Sequence, residues 1–166
     1  MSKRIFAVIA AVVTALFLFS SPATAGNPHF IKNATTATLQ GSDLVVNFKE
    51  AGLPSGAVEF ITVTALLSTT YECVNNGGKN PKASNKTTTQ TQGSVTEPFT
   101  ADKNGNIVGS LTLEPPTADA LGFSCPSGQT VTFVSVTYSN VTISSSPSGA
   151  SLRLGGPFTY TNPLAP

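Results

Sequence analysis

The chain has no tryptophan, one histidine and two cysteines, and charged residues fill only 10% of its 166 positions. Each scarcity removes a class of chemistry. A serine or cysteine nucleophile needs a base that a third group orients, and the single histidine, His29, lies near a chain end, where segments are usually mobile. A zinc site needs three or four ligands, and two cysteines far apart with one histidine do not supply them. Without tryptophan, and with three tyrosines, the usual sugar-stacking platform is thin. Helical heptads and repeat arrays are absent as well.

The first residues give a leader. Lys3 and Arg4 precede an apolar run from Ile5 to Phe19, followed by Ser20, Ser21 and Pro22. The small-x-small tripeptide Ala23, Thr24, Ala25 suits a signal peptidase, which places the cut after Ala25 and starts the exported chain at Gly26. Residues 26–166 then form one domain, large enough to bury a core. The 9 Lys and Arg stand against 8 Asp and Glu, and loss of Lys3 and Arg4 leaves the exported chain at net −1. That near balance gives no pull toward nucleic acid. No second apolar run is long enough to span a membrane.

Export delivers Cys73 and Cys125 to an oxidising space, so the two are expected to pair in a structural disulfide.

Threonine, serine, asparagine and glycine supply the polarity, which suits strands and turns. From Val58 to Val74, Ile61, Val63, Ala65, Leu67, Tyr71 and Cys73 alternate with Thr62, Thr64, Ser68, Thr70 and Glu72, as in a strand with one solvated face. Its length predicts a bend or break near Leu66 and Leu67. Phe30 to Leu39 and Leu44 to Lys49 read as a hairpin around Gln40 to Asp43. A long loop after Cys73 leads to an edge strand at Thr87 to Thr91. Val95 to Ala101 and Ile107 to Leu113 flank an Asn-Gly turn, the strongest hairpin signal in the chain. Thr117 to Gly122 reads as one helical turn capped by Thr117. Val131 to Ile143 shifts its apolar phase after Phe133 and again after Tyr138, as a bulged strand does, and Leu152 to Tyr160 adds a last strand. Seven or eight antiparallel strands with one disulfide predict an immunoglobulin-like Greek-key β-sandwich.

His29 and Phe30, Asn47 to Leu53, Cys73 to Ala83 and Phe99 to Leu111 together resemble a family of small uncharacterised secreted proteins of actinomycetes and related soil bacteria. The resemblance implies secretion and a β-domain and no catalytic residue. The turn from Thr100 to Gly105 is also similar to the Thr-Ala-Asp-x-Asn-Gly hairpin of neocarzinostatin-type apoproteins, secreted sandwiches that carry an apolar chromophore. Those carriers hold two disulfides against one cysteine pair here, so that likeness implies architecture alone.

The carboxylates Asp43, Glu50, Glu59, Glu72, Glu97, Asp102, Glu114 and Asp119 fall mostly in turns or on faces expected to meet water, with Glu59 and Glu72 assigned to the solvent phase of their strand. They are not expected to form a glycosidase pair. Asp102, Asn104 and Asn106 match the first ligands of a calcium loop, but Ile107 and Leu113 occupy the places that need glycine and glutamate. Asn33, Asn85 and Asn140 head Asn-x-Thr triplets, which a bacterial leader leaves unmodified. No cofactor is implied. The expectation is a non-catalytic secreted or cell-surface-associated binding module. Its candidate loop carries Lys79, Lys82 and Lys86 without acidic residues, which suits an anionic cell-wall polymer or polysaccharide. The alternatives are a carrier holding a small apolar ligand in an inter-sheet cleft and, ranked lower, a secreted hydrolase.

Overall fold

A computed structural model of the protein describes residues 26–75 and 86–165. The leader, with Ala23 and Ala25, lies outside the described residues, as do Lys79, Lys82 and Asn85. Among the described residues nine strands form two packed antiparallel sheets. The smaller holds β1 (His29–Phe30), β2 (Thr36–Gln40), β3 (Asp43–Ala51) and β6 (Ile107–Leu113). In it β1 and β2 follow one another along one edge of β3, and β6 lies along the other. The larger sheet holds β4 (Val58–Asn75), β5 (Lys86–Thr100), β7 (Gln129–Ser146), β8 (Ser151–Arg153) and β9 (Phe158–Thr161). There β5, β4 and β7 lie side by side, with β8 and β9 sharing the outer edge of β7. The chain crosses between sheets after β3, β5 and β6, and β6 returns to lie beside β3. That is the expected immunoglobulin-like Greek-key sandwich.

Three local expectations need correction. The Asn-Gly turn does not join a hairpin, because β5 pairs with β4 in the larger sheet and β6 with β3 in the smaller. The turn itself forms, with the amide of Asp102 bonded to the Asn106 carbonyl at 2.8 Å. Its two arms then diverge to opposite layers, since Ile107, Leu111 and Leu113 are buried against the core from the smaller sheet. The break allowed for in β4 near Leu66 and Leu67 does not occur, since β4 is one strand from Val58 to Asn75. The irregularity belongs to its partner: three steps of β7 from Ser139 to Thr142 match two steps of β4 from Leu66 to Thr64, and Val134 is extra opposite Thr70 and Tyr71. Both places are where the apolar phase of β7 was expected to slip. Finally, Thr87 to Thr91 and Val95 to Ala101 are not two strands, for β5 runs unbroken from Lys86 to Thr100. The count rises to nine because a 3₁₀ turn at Lys32–Ala34 splits the first expected strand, and Gly155, Gly156 and Pro157 split the last. Proline cannot donate to a ladder, and two glycines resist the extended state.

The two layers close over residues with no exposure at all, among them Leu44, Val46, Ile61, Val63, Leu67, Val136, Val141 and Ile143. Phe48 meets Phe30 and Phe99 edge-on, with centroids 6.2 and 5.1 Å away. Such ring pairs add about 0.5–1.5 kcal/mol each beyond burial. Gly109 lies opposite Phe48 in the ladder and makes room for it: a Cβ there would stand 2.6 Å from the Phe99 ring. Tyr138 is fully buried, and its hydroxyl donates to the Ser42 carbonyl at 2.7 Å and the Leu113 carbonyl at 3.2 Å. One side chain of the larger sheet thus pins both the β2–β3 turn and the end of β6.

At 18 residues each, β4 and β7 far outreach the nine-residue β3 that faces them. The overhanging inner face needs another cover, and the segment between β6 and β7 provides it. Tyr71 stacks on Phe123 at 6.2 Å and donates to the Pro116 carbonyl at 2.9 Å, and Cys73 is bonded to Cys125. The predicted helical turn is a 3₁₀ turn at Asp119–Leu121, with the Thr117 hydroxyl accepting from the Ala120 amide and Gly122 closing it at φ 67°. The disulfide therefore holds a flap over the exposed half of a ribbon.

Candidate functional site

The residues singled out in the sequence do not gather into one site. His29 sits exposed on β1 and donates a ring N–H to the Asn27 carbonyl at 2.8 Å. Lys86 opens β5, but its ammonium lies 3.9 Å from Glu72, so part of its charge is answered within the ladder. Lys79 and Lys82 lie outside the described residues. Asp102 closes its turn by accepting from the amides of Asn104 at 2.8 Å and Asn106 at 2.9 Å. Those bonds, Asn106 first, hold its carboxyl below the usual range. The calcium-like residues are thus engaged in a turn. Asn33 lies in the first 3₁₀ turn, and Asn140 sits in the β7 bulge at φ 53°.

Glu59 and Glu72 do not face water as assigned. Glu59 shares the odd phase of Ile61 and Val63 and is only 3% exposed, and Glu72 is 7% exposed beneath its neighbours. Glu59 Oε2 accepts from the Ser145 hydroxyl and the Ser148 amide, both at 2.9 Å. Glu50, on β3 in the other sheet, is fully buried, and its Oε1 accepts from the Ser148 hydroxyl at 2.9 Å, while Oε2 has no partner among the described residues. Burial pushes Glu50 above the ordinary carboxylate value of 4.5, and nearby Glu59 adds to the rise while the neighbouring serine hydroxyls of Ser145 and Ser148 oppose it. These two carboxyls fasten the β7–β8 turn across both sheets. Their arrangement is a structural clamp made of buried carboxyls and serines.

The surface with the most organised chemistry is the outer face of the larger sheet. Residues directly opposite one another in an antiparallel ladder point to the same side. Thr96, Thr62, Ser144 and Ser151 therefore form one row across β5, β4, β7 and β8. Ser94, Thr64, Thr142 and Arg153 form the next. Further along, Gln90, Ser68, Thr137 and Thr159 make a row that ends on β9, and Thr88, Thr70, Ser135 and Thr161 another. Neighbouring hydroxyls bond across the strands: Thr62 with Thr96 at 2.9 Å, Thr70 with Thr88 at 2.8 Å and Thr137 with Thr159 at 3.0 Å. The grid has a spacing of about 4.8 Å between strands and roughly 6.8 Å along them. Where β7 bulges, a shallow open depression lined by Thr64, Ala65, Leu66, Gln92 and Asn140 interrupts it.

At one end this face carries Pro98, Phe60 and Ser146 in a row, with Val58 beyond. Phe60 is 53% exposed, so an aromatic ring stands on the solvent side of a strand whose other face is core. The alternation of β4 already grouped Thr62, Thr64, Ser68 and Thr70. Only the pairing brought β5, β7, β8 and β9 alongside to make a continuous surface. The chain matches no family model and no curated protein.

Proposed function

We propose that this protein is an exported, non-catalytic binding module of the cell surface that engages an extended polymer with the outer face of its larger sheet. The observation that carries this reading is the run of hydroxyl rows from Thr62 to Thr70, four strands wide where β8 or β9 joins and bordered by Arg153 as the single charge among the described residues. Solvated sheet faces ordinarily carry lysine and glutamate as well as threonine. A broad, nearly uncharged face instead offers donors and acceptors at fixed spacing, and the cross-strand hydroxyl bonds hold several of them in place. The space between the sheets is filled by side chains with no exposure, which favours a surface over the carrier alternative. The leader read from Lys3 to Ala25 and the Cys73–Cys125 disulfide support export.

The test is retention of the chain beginning at Gly26 on purified cell-wall material, compared with a Thr64→Glu and Thr142→Glu variant. The variant, which places two charges in the middle of the grid, is expected to be released. Equal retention of both proteins refutes the face as the binding surface.

A second reading, docking on an anionic wall polymer, rests on Lys79, Lys82 and Lys86. Its mark is retention that falls with salt and is lost when all three become glutamine. The pairing of Lys86 with Glu72 weighs against it.

A further inference from the structure

Resting on that surface reading, we infer that the ligand is a single neutral glycan chain, and that Phe60 is the ring on which one of its sugars stacks. The aromatic platform that the absence of tryptophan argued against is supplied by a phenylalanine in the even phase of β4. Phe60 is more than half exposed, while Ile61 beside it in sequence is fully buried in the core. An apolar ring in that place leaves more than half of its surface to water. Val58, 51% exposed, and Pro98, directly opposite Phe60, extend the apolar end of the face.

A pyranose ring has an apolar C–H side and a rim of hydroxyls, and this face offers the complement of both within two ladder rows. Phe60 presents a flat ring of the kind that packs against C–H groups. One row away, roughly 6.8 Å along the strand, stands the Thr62–Thr96 hydroxyl pair. Two bonded hydroxyls use one of their two protons on each other, so the pair retains a donor and spare lone pairs for a third hydroxyl. A neutral partner follows from the absence, among the described residues, of any charged side chain in the ladder rows between Phe60 and Thr70 except Arg153 at the β8 border. An anionic chain would find no row of cations there, and a cationic one no carboxylates.

The shape of the face decides between a flexible chain and an ordered solid. Sheets twist by roughly 20–25° per strand, and the two irregularities in β7 add to the local twist. A rigid planar lattice therefore meets only part of the grid, whereas a single chain can follow the twist along β4.

The experiment is depletion of the chain 26–166 from solution by amorphous cellulose, crystalline cellulose, chitin and mannan, at low and high salt. Phe60→Ala, Phe60→Tyr and the Thr64→Glu, Thr142→Glu variant are run beside the parent. The inference expects at least one neutral glycan to bind independently of salt and amorphous cellulose to outdo crystalline if cellulose is that glycan. It also expects binding to be roughly tenfold weaker in Phe60→Ala, the scale of one ring contact, and restored in Phe60→Tyr. Because the ring is exposed, Phe60→Ala should melt with the parent, so a loss of binding is not a loss of fold. If the threonine variant fails to bind while Phe60→Ala binds like the parent, the stacking role is wrong and the face stands. If both bind like the parent, the face falls too. Binding to none of these glycans, or binding abolished by salt, overturns the neutral-glycan assignment.

Discussion

Replacement of Glu50 by glutamine should stabilise the protein at neutral pH and leave it unchanged in mild acid. Glu50 is fully buried between β3 and the β7–β8 turn, with Oε1 satisfied by Ser148 and Oε2 without a partner among the described residues. Burial raises its pKa above 4.5, and Glu59 pushes in the same direction. An acid whose folded-state pKa lies above its unfolded value holds its proton more tightly in the folded chain. Its contribution to stability is thus largest below 4.5, falls as pH rises through the folded value and is lowest above it. Glutamine has no proton to lose, so Glu50→Gln should be more stable than the parent at pH 7.5, on the order of the 1–3 kcal/mol that goes with one poorly solvated buried polar group. For a domain of this size that is a rise in melting temperature of roughly 4–12 °C. At pH 4 the carboxyl is mostly protonated in both states, and parent and variant should melt together. Comparing the variant with the parent at each pH cancels the other titrating groups. Calorimetry at both pH values checks the argument, and a gap of the same size at pH 4 and pH 7.5 would refute it.

Two further stability predictions concern the pins of the fold. Cys73→Ser with Cys125→Ser opens a loop of 52 residues and should cost about 4 kcal/mol on the chain-entropy model, lowering the melting temperature by more than about 10 °C. A drop of less than about 3 °C would mean that the Tyr71–Phe123 stack and the Pro116 bond hold the flap without the crosslink. Tyr138→Phe removes the donor shared by the Ser42 and Leu113 carbonyls and should cost about 1–3 kcal/mol, seen as a lower urea midpoint at unchanged slope. An unchanged midpoint would show that those carbonyls find other partners.

Periodicity carried much of the architecture because one face of each long strand is core. The alternation from Ile61 to Cys73 placed β4, and the phase slips after Phe133 and Tyr138 located both irregularities of β7. The two cysteines, Cys73 and Cys125, are bonded as expected, and the Thr117 cap and Gly122 stop marked the turn between them. What failed was any step that needed to know which strand lies next to which. The Asn-Gly turn at Gly105 has the local signature of a hairpin, but a turn fixes only the reversal of the chain. Whether its arms pair with each other or with β4 and β3 depends on which side chains they bury.

The candidate site divides in the same way. The sequence by itself determined that Thr62, Thr64, Ser68 and Thr70 share a face, and even that Phe60 shares it, because a strand has a period of two. The tertiary structure alone decided that serines and threonines of β5, β7, β8 and β9 line up beside them, since ladder register joins residues far apart in sequence, as it does Thr62 and Ser144. It also decided that Glu50 and Glu59 meet at one turn, from opposite sheets. Local chemistry sets which way a side chain points; long-range packing sets what stands next to it.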